Sequence, residues 1–171
     1  MSVDGSTLEA AVKNALVSTG KFLAVEVGRP LVVIGKPGVS VAVEEGDFEP
    51  QGNALRQSFV ISVLVAAKNS VSESERRKAV HPLQAYVARL LWGETLSLPI
   101  NGIQPGRWTE ITTAEQLKDG VIVIDCRFTT KAVFTKAASE EEKTALDEIW
   151  ASYEIQSGTE AASDHLVVEQ P

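Results

Sequence analysis

The sequence predicts an α+β fold: a mostly antiparallel sheet with two helices packed on one face, followed by an acidic C-terminal extension. Three observations predict it. Two amphipathic helical stripes, residues 8–16 and 79–91, are separated by several strand-like runs rather than alternating with single strands. Two long runs, residues 56–67 and 121–134, alternate their side chains at a period of two. The charge is also partitioned. Residues 1–135 hold 14 acidic and 14 basic side chains, so the whole net charge of −7 resides in residues 136–171. We therefore expect a neutral domain over residues 1–135 and a distinct extension over 136–171.

The elements follow in order. A helix is predicted from Ser6, where Ser6 and Glu9 have the spacing of a capping box. Leu8, Ala11, Val12, Ala15 and Leu16 form its apolar stripe, and Gly20 can end it in a left-handed conformation. Leu31 to Ile34 and Val39 to Val43 read as a hairpin around Gly35-Lys36-Pro37-Gly38. Residues 44–53 are acidic and contain Gly46, Pro50 and Gly52, which predicts an exposed loop. In the run that follows, Phe59, Ile61, Val63 and Val65 share one face and Ser58, Val60, Ser62 and Leu64 the other, the pattern of a central strand.

A second helix begins at Ser72, with Glu75 in capping-box position. Ala79, Val80, Leu83, Val87, Leu90 and Leu91 form its stripe, Pro82 interrupts it and Trp92-Gly93 closes it. Residues 94–106 carry Pro99, Asn101-Gly102 and Pro105-Gly106 and read as a second long loop. Residues 107–113 can form a strand, and residues 121–134 form the longest one, with Ile122, Ile124, Cys126, Phe128, Ala132 and Phe134 on its core side. The predicted order is α-β-β-β-α-β-β. Residues 139–150 can form a short amphipathic helix before an acidic tail that ends in Leu166-Val167-Val168.

Composition excludes several classes of function. No stretch approaches the ~18 consecutive apolar residues of a membrane span. The start lacks the basic and apolar regions of a signal peptide, and a single cysteine excludes an internal disulfide framework. These features predict synthesis in a reducing compartment. A neutral body with an acidic extension is the reverse of a surface that binds nucleic acid through its phosphates.

Reactive groups are scarce. His81 precedes Pro82 in a helix and His165 lies in the tail, neither within a recognisable nucleophile motif. Cys126 falls on the apolar face of a strand, where a thiol behaves as a small hydrophobe. Glu44, Glu45, Asp47 and Glu49 form a dense carboxylate cluster, but the spacing of a calcium loop is absent. Gly35-Lys36 is followed by Pro37 instead of the Ser or Thr of a phosphate-binding loop, and no GxGxxG occurs. Arg76-Arg77-Lys78 is offset by Glu73 and Glu75 on the same helix. The expectation is a protein that is not an enzyme and holds no metal and no cofactor.

What remains is surface. Long loops in compact domains are often functional, which directs attention to residues 44–53 and 94–106. Arg56, Arg107, Arg127, Asp125, Glu44, Glu45 and Asp47 are the candidate interface residues, chosen for charge and expected exposure.

The layout resembles that of the tail terminator (tail completion) proteins of long-tailed bacteriophages. The features that carry it are the helix of residues 6–19 and Arg29-Pro30-Leu31 leading into the first hairpin. They continue with the strand Ser58-Phe59-Val60-Ile61-Ser62-Val63-Leu64-Val65, the helix from Val80 to Leu91 ending in Trp92-Gly93, and the strand of residues 120–134. The resemblance covers residues 6–135 and is one of layout, without a signature motif. It implies a homohexameric ring that caps the head-proximal end of the tail tube and stops tube polymerisation. The ring would then form the joint to the head-side connector. Its implied partners are further copies of itself, the tail tube protein, the sheath protein in a contractile tail, and connector or neck proteins. DNA would pass through without sequence-specific contact, and no membrane is involved. The implied location is the tail–neck region of a virion assembled in the bacterial cytoplasm. Two other readings fit the sequence: another neck or head-completion ring, and a small monomeric binding module that recruits a partner through its acidic tail.

Overall fold

The computed structural model describes residues 3–22, 24–28, 37–52, 54–69 and 71–135. In chain order the elements are α1 (Gly5–Ser18), β1 (Ala24–Val27), β2 (Gly38–Glu45), β3 (Phe48–Gln51), β4 (Ala54–Lys68), α2 (Glu73–Leu91), β5 (Gln104–Glu110), α3 (Ala114–Lys118) and β6 (Val121–Thr135). The strands form one sheet in the order β1-β2-β4-β6-β5, with β3 also paired to β4. β1 runs parallel to β2, whereas β2–β4, β3–β4 and β5–β6 are antiparallel. The fold is thus α+β with a mostly antiparallel sheet, as the alternating runs predict.

The core lies between the sheet and α1 and α2. Leu8, Val12 and Leu16 of α1 and Val80, Val87 and Leu91 of α2 are buried in one cluster with Val39 and Val41 of β2. The same cluster takes Phe59, Ile61, Val63 and Val65 of β4 and Ile122, Ile124, Cys126 and Phe128 of β6. These are the odd positions of β4 and the even positions of β6, so period-two alternation alone decides which side chains enter the core.

The predicted loop at 44–53 is instead sheet. Val43 pairs with Ile61, but Glu45 pairs with Val60, so one extra residue in β2 makes a bulge. Pairing then resumes with Phe48 opposite Gln57 and Gln51 opposite Ala54. β2 and β3 are therefore one interrupted strand along β4, followed by a turn residue, Gly52, with φ +58°. Gly46 lies so close to the Ser58 carbonyl that a Cβ there has no room. Gly46, Pro50 and Gly52 suggest loop by composition, yet they mark a bulge, an edge strand and a turn.

Other expectations shift more modestly. Asp4 rather than Ser6 caps α1, accepting from the Thr7 amide at 2.6 Å. That hydrogen bond draws the Asp4 carboxyl below its ordinary value. Glu9 reaches across to the sheet instead, where its Oε1 accepts from the Val43 amide at 2.7 Å, beside the bulge. Ser72 caps α2 as predicted, and the helix continues through Pro82 to Leu91. The strand expected at 107–113 begins earlier and ends at Glu110. It is followed by the short α3, whose Thr113–Gln116 capping box the sequence reading passed over. β1 was not anticipated. The strand expected at 31–34, the helix at 139–150 and the acidic tail lie outside the described residues.

Candidate functional site

The face of the sheet opposite α1 and α2 carries a polar network that gathers several of the predicted interface residues. At its centre is Asp125 of β6, which is 5% exposed. Its Oδ1 accepts from the Ser62 hydroxyl of β4 at 2.7 Å and its Oδ2 from Arg127 Nε at 3.1 Å. The same guanidinium lies 3.1 Å from the Glu44 carboxylate of β2. A second, looser group lies on β3, β4 and β6, where Glu49 stands 3.8 Å from Arg56 and 3.9 Å from Lys131. Glu44, Arg56, Asp125 and Arg127 are thus tied to neighbours within the chain. Charges paired across three strands fix the register of those strands more than they offer free charge to a partner.

The remaining candidates stand apart. Asp47 lies in the break between β2 and β3, where its main chain bonds to Ser58 and its carboxylate is exposed. Glu45 follows the extra residue of the bulge and pairs with Val60. Arg107 lies on the edge strand β5, in the irregularity between Pro105 and Trp108. It is exposed and makes no ion pair among the described residues. Charge alone cannot separate these cases from Arg56 and Arg127, because which strands are neighbours is decided by the topology.

Two features escaped the sequence reading. β5 is an edge strand of the described sheet, exposed over six of its seven residues, and Trp108 on it is 50% exposed. The Trp108 ring meets His81 of α2 edge-on, with 5.6 Å between centroids. One turn earlier on α2, Arg77 bridges Glu110 at 2.9 Å and Glu73 at 3.0 Å. The second feature is Phe48, 61% exposed at the start of β3. An apolar residue within the otherwise acidic 44–53 stretch was the available signal for it.

The groups considered for chemistry sit in structural settings. Burial, and secondarily the neighbouring Asp125 carboxylate, push the Cys126 thiol up to about 12, so it is a neutral side chain of the core near neutral pH. His81 packs on Trp108. Among the described residues no three His, Cys, Asp or Glu side chains stand close enough to hold a metal ion, and no helix is long and apolar enough to cross a membrane.

No family model matches this chain, and no curated protein matches its sequence at a significant level. Among solved structures, the chain is similar to one in the virion of a native gene transfer agent (GTA) particle. The TM-score is 0.55 at 19% identity, over 74% of this chain and 95% of that chain. At that identity the likeness is one of fold, and it extends over nearly the whole of the virion chain.

Proposed function

We propose that this chain is a structural virion protein of a phage-like particle, and more narrowly a tail terminator. In this reading it forms a homohexameric ring that caps the head-proximal end of the tail tube, halts tube polymerisation and joins the tail to the head-side connector. The observation that carries the reading is the shared fold with a virion chain over 95% of that chain's length. The layout resemblance drawn from sequence points the same way. So does the character of the candidate residues, which are charges and exposed aromatics spread over a sheet and its edges rather than converging in a cleft. A cap needs a surface that binds the last tube ring and its own neighbours, and no bond has to be made or broken.

The test is the native mass of the full chain over a concentration series, with negative-stain images of the same samples. Six copies of the 18.4 kDa chain weigh about 110 kDa, and a closed ring of that mass is the expected result. Adding the ring to polymerising tube protein should then arrest growth. Rings that leave tube length unregulated would place the chain on the head side of the neck. A compact monomer that neither assembles nor binds tubes would overturn the reading.

A further inference from the structure

Two exposed charges of opposite sign, Asp47 beside β3 and Arg107 on β5, lie at separate strands on the margins of the sheet. β1, β2, β3 and the Gly46-Asp47 break hold Glu26, Glu44, Glu45, Asp47 and Glu49 with no lysine or arginine; Glu44 is paired with Arg127 and Glu49 stands near Arg56 and Lys131, whereas Asp47 is exposed and makes no ion pair among the described residues. Arg29 and Lys36, between β1 and β2, lie outside the described residues. On the far side of the sheet β5 carries Arg107 and Glu110; Glu110 is held by Arg77 of α2, whereas Arg107 is exposed and makes no ion pair among the described residues. Each of the two exposed charges is followed directly by a large exposed aromatic, in Asp47-Phe48 and in Arg107-Trp108. Phe48 is opposite Gln57 and Trp108 opposite Cys126, so by strand alternation both aromatics belong to the helix-bearing side of the sheet.

We propose that these are the two halves of one interface, and that Asp47-Phe48 of one copy docks against Arg107-Trp108 of the next. The occupant is a second copy of this chain because the complementarity, Asp47 against Arg107, lies within the chain, beside β3 and on β5, which among the described residues pair only with β4 and β6 respectively. Asp47 repels Asp47 and Arg107 repels Arg107, so a two-fold dimer through either patch alone is disfavoured. Head-to-tail contact brings the unlike patches together, the kind of contact from which a closed ring is built. Exposed aromatics flanked by a steering charge have the composition of interface anchors. The proposal deepens the ring reading above and rests on it.

The experiment uses charge reversal and complementation on the full chain. Asp47→Lys and Arg107→Glu, both exposed positions, should each weaken self-association at least about tenfold. Circular dichroism and thermal melting should match wild type and verify folding. Mixed in equal amounts, the two variants should reassemble, because every junction in an alternating ring is again between unlike charges. Trp108→Ala should weaken assembly in either background. If wild type forms rings while both single variants assemble as well as it does, or while the mixture stays dissociated, this interface is wrong and the ring reading stands. If wild type is monomeric at every concentration, both the interface and the preformed ring are overturned.

Discussion

The two faces of the sheet bury residues in different ways. Beneath α1 and α2 the buried side chains are almost all apolar and large, with Phe59, Phe128, Ile61, Ile122 and Ile124 withdrawn from solvent. On the opposite face the buried positions are fewer and mixed: Ser40, Ala42, Ser62 and Asp125, beside a small apolar cluster of Ala66, Val121 and Val123. Burial of hydrocarbon is non-directional, whereas a carboxylate held by one hydroxyl and one guanidinium tolerates little displacement. The helix-bearing face therefore supplies most of the stability. The polar face supplies alignment, locking β2, β4 and β6 in one register.

Mutations can break or sharpen that comparison. Phe128→Ala, on the helix-bearing face, should destabilise the chain by about 3–5 kcal/mol, measured as a shift in urea unfolding. Asp125→Ala on the other face should cost about 1–3 kcal/mol, because it leaves the Ser62 hydroxyl without its acceptor and takes one of two carboxylates from Arg127. A loss at Asp125 as large as that at Phe128 would erase the distinction between the faces. At neutral pH the smallest effect comes from Cys126, which faces the core beside Asp125 and acts only at alkaline pH. The folded chain keeps a thiol proton that the unfolded chain releases near pH 9.0. Stability from this group is therefore complete below pH 9.0 and is lost as pH rises toward about 12. Cys126→Ala should flatten that part of the stability–pH curve, and an unchanged slope would assign the decline to other groups.

The core was legible in the sequence where one period ruled a long run. β4 and β6 stand out because their apolar residues alternate over a dozen positions, and α1 and α2 because theirs recur at three and four. β3 was hidden because its residues, Phe48 to Gln51, are all exposed and so give no burial pattern to read. Its pairing depends on the partner strand, which continues past the bulge and carries β3 along. The capping of α1 was misassigned for a related reason. Ser6 and Glu9 fit a local motif, but Glu9 has a tertiary partner in the Val43 amide, and local spacing says nothing about that. Of the candidate interface residues, the sequence could name charged side chains. It could not say that Arg127 is held by Glu44 and Asp125, or that Arg107 is left exposed on an edge.

The bond from the Val43 amide to Glu9 also makes a timekeeper. Val43 lies in the sheet, yet its donor is satisfied by a carboxylate on α1. Deuterium replaces that proton when the helix lifts away, whether or not the neighbouring strands have parted. Protection at Val43 should vanish in Glu9→Ala while amides within the β2–β4 ladder keep theirs. A single proton would then measure how long the N-terminal helix stays seated.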